Sequence, residues 1–309
     1  MQQYPLITIV GGSGFLGRHL VKQLAQAGFR IRVIGRDAVA GQFLRMSGVV
    51  GQIICQYGDI TKPETLEGKF DGSWAVINLA SVMIERGRQT FTRVNEEGAR
   101  RVAEYAARVG ASRMIHVSAL GIEHAEKSRY ARSKKAGEDA VRMAYPMATI
   151  IRPGLMVGPE DQFFQRFGRM SLVTPLLPLI GGGVTQFQPT LVTDVATAIV
   201  TALQLDATAG HVYELAGPEL KSFREWLELM GRITNRRLRF VSLPWGLARV
   251  IGRLASILPF TPPITADQVT LLQYHNLPNP GSEGYEALGI KPASVSEALP
   301  ILLSRFVRA

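Results

Sequence analysis

Tyr130 and Lys134, in the stretch YARSK, set a phenol and an ammonium four residues apart. On a helix that spacing stacks both groups on one face. A lysine beside a tyrosine is a means of lowering the phenol's pKa from about 10, so the pair reads as a candidate proton donor. Ser118, twelve residues before Tyr130, ends the apolar run RMIHVSA, which reads as a strand. A hydroxyl there can hold a substrate carbonyl while the tyrosine gives or takes its proton. Asn95, in RVNEEG, is placed to steady the helix or a water relay behind the lysine. Taken alone, RYARSKK would read as a solvated helix face; its weight comes from a second pattern near the amino terminus.

That pattern is LITIVGGSGFLGRHLVKQLAQAGFRIRVIGRD: a strand, a glycine turn, an amphipathic helix and a second strand, within the roughly 30 residues of one βαβ unit. Its glycines are Gly11, Gly14 and Gly17. Gly11 suits the tight turn, Gly14 the approach of backbone to a pyrophosphate, and Gly17 the packing of helix on strand, with free N–H groups at the helix start facing the anion. A carboxylate that would bind the ribose hydroxyls of NAD belongs at the end of the second strand, where Gly35 and Arg36 stand instead. Arg36, with Arg18 after the glycine turn, can grip a 2′-phosphate, which favours NADPH over NAD. Asp37 would reverse that preference if the strand ended slightly later. Further βα units follow, IICQYGDIT with Asp59 and Ile60, WAVINLAS with Leu79 and Ala80, and the helix VNEEGARRVAEYAARVG. The alternation predicts an α/β fold, a Rossmann-type doubly wound parallel sheet whose strand ends form the ligand crevice. Asp59 is expected at the adenine, and Phe15, Leu16, Ile60, Leu79, Ala80 and Pro153 complete the expected cofactor lining, to which Tyr130 and Lys134 also belong.

With 309 residues, 46% hydrophobic and 19% charged, the chain has enough apolar material for one large or two unequal domains. The lone Cys55 cannot pair internally and reads as a small core residue, and the five histidines show no metal-ligand spacing. The opening residues show no signal peptide, and the apolar stretches are broken by Pro, Gly or Arg, so no membrane span is expected. A formal net charge of +10 favours a polyanionic partner: a phosphorylated cofactor, an acidic protein surface or anionic lipid. No basic motif is interleaved with aromatics, which argues against nucleic acid.

Past IRPG (151–154), LVTDVATAIVTALQ reads as a helix capped near Thr193 and Asp194, and HVYELAGP as a strand returning to the sheet. The expected division is a dinucleotide domain of residues 1–154 plus about 191–216, and a smaller lid of about 155–190 and 217–309. In the lid, LPWGLARVIGRLASILPF is apolar on most sides with Arg249 and Arg253 one turn apart. It suits a membrane surface, a hydrophobic groove on a partner, or packing within the lid. TNRRLRF, with Arg236, Arg237 and Arg239, reads as a solvated basic face or a diphosphate grip.

Gly11, Gly14, Gly17, Asp59, Asn95, Ser118, Tyr130, Lys134 and IRPG together resemble the short-chain dehydrogenase/reductase superfamily, in its extended or atypical branch, over essentially the whole chain. GPEDQFFQRF, PLLPLIGGGVTQFQPTLVTDVATAIV and TADQVTLL resemble more narrowly the alpha-subcomplex subunit 9 family of respiratory complex I and its bacterial relatives. That resemblance implies an accessory or assembly subunit that holds NADPH structurally and meets complex I subunits on the membrane-facing peripheral arm. It implies a peripheral location on the cytoplasmic face of a bacterial inner membrane, or the matrix side for a processed mitochondrial chain. The short ALGIEHAEKSR between serine and tyrosine departs from the longer loop of nucleotide-sugar enzymes and argues against such substrates. The rival expectations are an active NADPH-dependent reductase of a small hydrophobic carbonyl or quinone-related compound, using Tyr130, Lys134 and Ser118, and a redox-sensing regulator.

Overall fold

The computed structural model describes residues 4–255 and 264–308. Along the chain, β1 (Leu6–Val10), α1 (Phe15–Gln26), β2 (Arg30–Gly35), β3 (Ile53–Tyr57), β4 (Ala75–Asn78), α2 (Glu97–Arg108), β5 (Arg113–Val117), α3 (Arg129–Ala144) and β6 (Thr149–Pro153) come first. Then follow β7 (Met156–Val157), α4 (Phe164–Val173), β8 (Leu176–Ile180), β9 (Gln186–Phe187), β10 (Thr190–Leu191), α5 (Val192–Gln204) and β11 (Val212–Leu215). The last elements are β12 (Lys221–Ser222), α6 (Phe223–Ile233), β13 (Arg239–Leu243), α7 (Trp245–Ala255), α8 (Ala266–Leu271) and α9 (Val295–Leu302).

Seven strands form one parallel sheet in the order β3-β2-β1-β4-β5-β6-β11. Every residue of β4, β5 and β6 is buried, as strands covered by helices on both faces must be. Side chains alternate between the two faces. Ile7, Ile9, Ile31, Val33, Ile77 and Ile115 pack under α1 and α5, while Val10, Ile34, Val76, Met114 and Ile150 pack under α2 and α3. In α1, Leu16, Leu20, Val21 and Leu24 recur at helical spacing and make the stripe that the sheet buries. The strand order reverses between β1 and β4, and a doubly wound sheet opens its ligand crevice at that point.

As HVYELAGP suggests, β11 rejoins the sheet beside β6. The expected cap of α5 is displaced. Its N-cap is Leu191 with no side-chain bond, and Asp194 instead accepts the Ala293 N–H at 2.7 Å. Asp194 is drawn away because the chain before α9 passes alongside and offers a donor. Cys55 is half-buried, its thiol donating to the Gly41 carbonyl at 3.3 Å and pushed up in pKa by burial.

A second core gathers Val157, Phe164, Leu177, Leu179, Phe187 and Phe223 around the fully buried Trp226, together with Val295 and Leu299 of α9. Capping boxes start α6 (Ser222 with Glu225) and α8 (Thr265 with Gln268). After α8 the chain crosses back toward the sheet. Asn276 exchanges backbone bonds with Gln186 and Gln188 and gives its side chain to the Leu120 carbonyl and the Leu155 N–H. Residues 256–260 of the apolar stretch read from the sequence lie outside the described residues.

Candidate functional site

The glycine turn sits at the reversal point. Gly11 follows β1 with φ +82°, and a Cβ there would stand 3.0 Å from the Ala80 nitrogen at the end of β4. Only glycine meets both the left-handed conformation and the close approach. Gly17 is pressed harder than a helix-on-strand contact requires: its Cβ would lie 2.4 Å from the Gly12 carbonyl oxygen, so the helix packs on the turn itself. Gly14 is the N-cap of α1, with no side-chain cap and no acidic residue in the first turn. The N–H groups of Phe15, Leu16 and Gly17 therefore meet an anion without a competing carboxylate, which fits a dinucleotide pyrophosphate.

Around the far side of this cradle, β2 ends at Gly35 and Arg36 is exposed, with no hydrogen bond or ion pair among the described residues. Asp37 is turned into its own loop, where Oδ1 accepts the Ala40 N–H at 2.8 Å. Arg18, expected beside Arg36, is already engaged. Its guanidinium lies over the Phe43 ring at 5.2 Å and donates to Glu160 at 3.1 Å, with His19 on the other carboxylate oxygen. The sequence reading missed Glu160, which lies 142 positions away.

Asp59 is buried at the end of β3, where Oδ1 accepts both the N–H and the hydroxyl of Thr61. Ile60 is buried, and a Cβ at Gly98 would stand 2.5 Å from it. Leu79 packs on the sheet core, Ala80 donates to the Asn78 side chain, and Pro153 closes β6.

Lys134 is 1% exposed, and its Nζ donates to the Val117 carbonyl at 2.8 Å, one residue before Ser118. Burial pulls the ammonium down to about 8 in pKa, against the opposing field of Glu138 one turn along. The Ser118 hydroxyl is buried with no partner among the described residues. Tyr130 overturns the sequence expectation. Burial pushes its phenol up to about 12, not down, and only a bond with Ser81 opposes the rise. The phenol ring meets Phe91 edge-on at 6.0 Å, and desolvation sets the direction, while the Lys134 ammonium is turned to the Val117 carbonyl.

Asn95 is fully buried on a single widened helical turn, Thr92–Glu96, ahead of α2. Its oxygen accepts from the Val82 N–H and the Ser81 hydroxyl, and its nitrogen donates to the Val82 carbonyl and the Ser133 hydroxyl. All four valences of the amide are filled. Through Ser133 the amide is bonded to α3, and it has no capacity left for a water relay. Beneath it, fully buried His116 accepts from Asn78 and is held neutral by desolvation and the Lys134 charge.

Two features that sequence reasoning missed close the site. Asp267, from α8, caps α3 from across the fold: its carboxylate accepts from the Arg129 N–H at 2.7 Å, the Ser128 hydroxyl at 2.9 Å and the Tyr130 N–H at 3.1 Å. Leu271 and Tyr274 pack beside Ile122, Ala125 and Ala131, covering the loop between Ser118 and Tyr130. Below α3, buried Arg152 bonds Glu138, Glu123 and Glu214 at 2.7 to 3.1 Å, and Asn279 bridges the last two. Burial alone would lower the Arg152 pKa; its ion pairs with Glu138 and Glu123 more than offset this and raise it. The visible signal was Arg152 within IRPG, but its partners are far apart in sequence.

A dinucleotide cradle at the sheet reversal, with Ser118 at the end of β5 and Tyr130 and Lys134 on the following helix α3, defines an extended short-chain dehydrogenase/reductase. Residues 7–216 match the NAD dependent epimerase/dehydratase family, and the chain belongs to it. The NADH dehydrogenase [ubiquinone] 1 alpha subcomplex subunit 9, mitochondrial, of Arabidopsis thaliana is 34% identical over 296 residues, covering 92% of this chain and 74% of that protein. A ceramide reductase of Caulobacter vibrioides is 40% identical over 175 residues, 57% of this chain and 54% of that one. Among solved structures, the NADPH-dependent quinone oxidoreductase QOR2 of Escherichia coli, complexed with NADPH, superposes with a TM-score of 0.75 at 17% identity, over 96% of this chain and 99% of that one, a likeness of fold.

Proposed function

We propose that this chain is an accessory or assembly subunit of a complex I-type NADH:quinone oxidoreductase, holding NADPH structurally rather than turning it over. The observation that carries the reading is the similarity to a complex I subunit over 92% of the chain, lid included. The cap that Asp267 places on α3 and the packing of Leu271 and Tyr274 on the loop after Ser118 support it, since both tie the lid to the Tyr130 helix without a substrate. NADPH is favoured because Arg36 is free of carboxylates among the described residues while Asp37 is occupied by its own turn. A peripheral site on the membrane-facing arm is consistent with the +10 charge and with the finding that no described helix is long and apolar enough to cross a membrane.

Native electrophoresis of gently solubilised membranes tests the subunit reading: the chain should migrate with complex I, and migration alone would refute it. For the cofactor, Arg36→Ala should weaken NADPH binding by about 1.5 to 3 kcal/mol, roughly ten- to a hundredfold, and leave NADH nearly unchanged. Equal affinity of the unaltered protein for both dinucleotides would remove the argument.

The ceramide reductase match favours a second reading, reduction of a hydrophobic carbonyl by NADPH. There the nicotinamide would give a hydride to the carbonyl carbon, Tyr130 a proton to its oxygen, and Ser118 a hydrogen bond. Tyr130→Phe would then abolish NADPH oxidation, whereas the subunit reading expects the same variant to assemble normally.

A further inference from the structure

In α7 the usual amphipathic arrangement is inverted. The residues it buries are small: Ala248, and Gly252, where a Cβ would stand 2.6 Å from the Ala266 nitrogen of α8. The residues it turns outward are large. Leu247, Val250, Ile251 and Leu254 are 52%, 50%, 41% and 62% exposed. Their spacing of three, four and seven residues makes one continuous aliphatic stripe along the helix. A water-facing helix places its aliphatic side chains inward, so this stripe is shaped for an apolar outer phase.

The surrounding charge selects the occupant. Between residues 229 and 266 the sequence holds Arg232, Arg236, Arg237, Arg239, Arg249 and Arg253 and no Asp or Glu. Arg253 is exposed, and at 100° per residue it falls beside the stripe, where its guanidinium can reach headgroups while the aliphatic tips enter the acyl region; Arg249 falls on the opposite side, its Nε buried. The sequence flanking α7 carries no acid to repel an anionic plane, and Arg253 beside the stripe complements one.

We propose that α7 docks the smaller part of this protein on an anionic lipid bilayer, aliphatic stripe inward and Arg253 at the headgroups. This goes beyond the subunit reading and stands without it, because the contact needs lipid and no other protein. The test is flotation of the purified full chain with vesicles of phosphatidylcholine alone or with phosphatidylglycerol added. Binding should require phosphatidylglycerol, weaken as salt rises, and fall about tenfold or more when Leu247→Gln and Leu254→Gln are combined. Both side chains are half-exposed, so the thermal melt should stay unchanged and exclude misfolding. Arg253→Gln should weaken binding further as a separate variant. Equal binding to pure phosphatidylcholine, no binding at all, or an unaffected double variant would overturn the proposal. So would a dimer in light scattering that the double variant turns monomeric, which would assign the stripe to a second copy. If the variant left vesicle binding intact but lost complex I, a protein groove would be the occupant, and the proposal would again fail.

Discussion

Asp267→Ala is the perturbation that most directly tests whether α8 controls the Tyr130 helix. Its carboxylate accepts three hydrogen bonds at the start of α3, from Ser128, Arg129 and Tyr130. Each is charge-assisted and worth up to about 1.5 to 3 kcal/mol against an unmet donor. The full sum is an overestimate. The Arg129 N–H is exposed and water can replace the carboxylate there, and Ser128 keeps its own bond to the Ala131 N–H at 3.2 Å. What remains is the partly buried Tyr130 N–H, at about 1 to 1.5 kcal/mol, plus the loss of a negative charge at a helix start, about 0.3 to 1 kcal/mol. A loss of about 2 kcal/mol in a chain of 309 residues should lower the melting temperature by roughly 2 to 4 °C. Hydrogen exchange should accelerate at residues 129–131 and across 264–276, because the cap and the overlying segment release together. A melting temperature shifted by less than about 1 °C, with unchanged exchange in both segments, would refute the reasoning, since a mutual latch cannot be lost silently.

Three further outcomes follow from the charges around the site. Lys134, pulled down to about 8, carries its ammonium below that pH, so NADPH affinity should fall as pH rises through about 8, and Lys134→Met should remove that dependence. The stability term has the opposite sign: from about pH 8 to 10 the unfolded lysine keeps a proton that the folded one has lost, so the Lys134 contribution rises with pH, measurable as a melt difference between unaltered protein and Lys134→Met. Glu160 occupies Arg18 with a half-exposed ion pair, a contact worth about 0.2 to 1 kcal/mol. Glu160→Gln should therefore tighten NADPH about two- to fivefold in titration calorimetry without changing NADH; equal gains for both dinucleotides, or weaker NADPH binding, would mean that Glu160 orients Arg18 instead of competing for it.

The sheet was legible because its determinants are local. The glycines of VGGSGFLG, the buried runs of β4 to β6 and the helical spacing of Leu16, Leu20 and Leu24 each act within a few residues. The same holds for the placement of Ser118 and Lys134 at one strand end. What escaped the sequence is long-range. Asp267 reaches α3 from 137 positions away, and Glu214 reaches Arg152 from 62. No periodicity reports such pairs. The direction of the Tyr130 shift failed for the same reason: the four-residue spacing to Lys134 is local, but the desolvation that raises the phenol depends on the surrounding fold. The α5 cap failed because Thr193 and Asp194 have the right chemistry, yet a neighbouring backbone at Ala293 competes for the carboxylate.

The persistence of a Tyr and Lys pair is weak evidence for turnover once the bonds are followed. Lys134 ties α3 to β5 through the Val117 carbonyl, Asn95 ties the β4 loop to Ser133, and Tyr130 fills a pocket between Phe91 and Ser81. Each would destabilise the crevice if lost, with or without a substrate, so each has a structural reason to remain. Ser118 differs. Its backbone N–H is held by the Ile151 carbonyl at 2.7 Å, but its hydroxyl is buried and unmatched among the described residues, and an unmet buried hydroxyl costs about 1 to 3 kcal/mol. Packing alone would favour alanine there. That oxygen is open to a partner that arrives with a ligand, a nicotinamide amide in the subunit reading or a substrate carbonyl in the reductase reading. The distinction between holding and turning over therefore rests on what meets the Ser118 oxygen, and the YARSK pair is common to both.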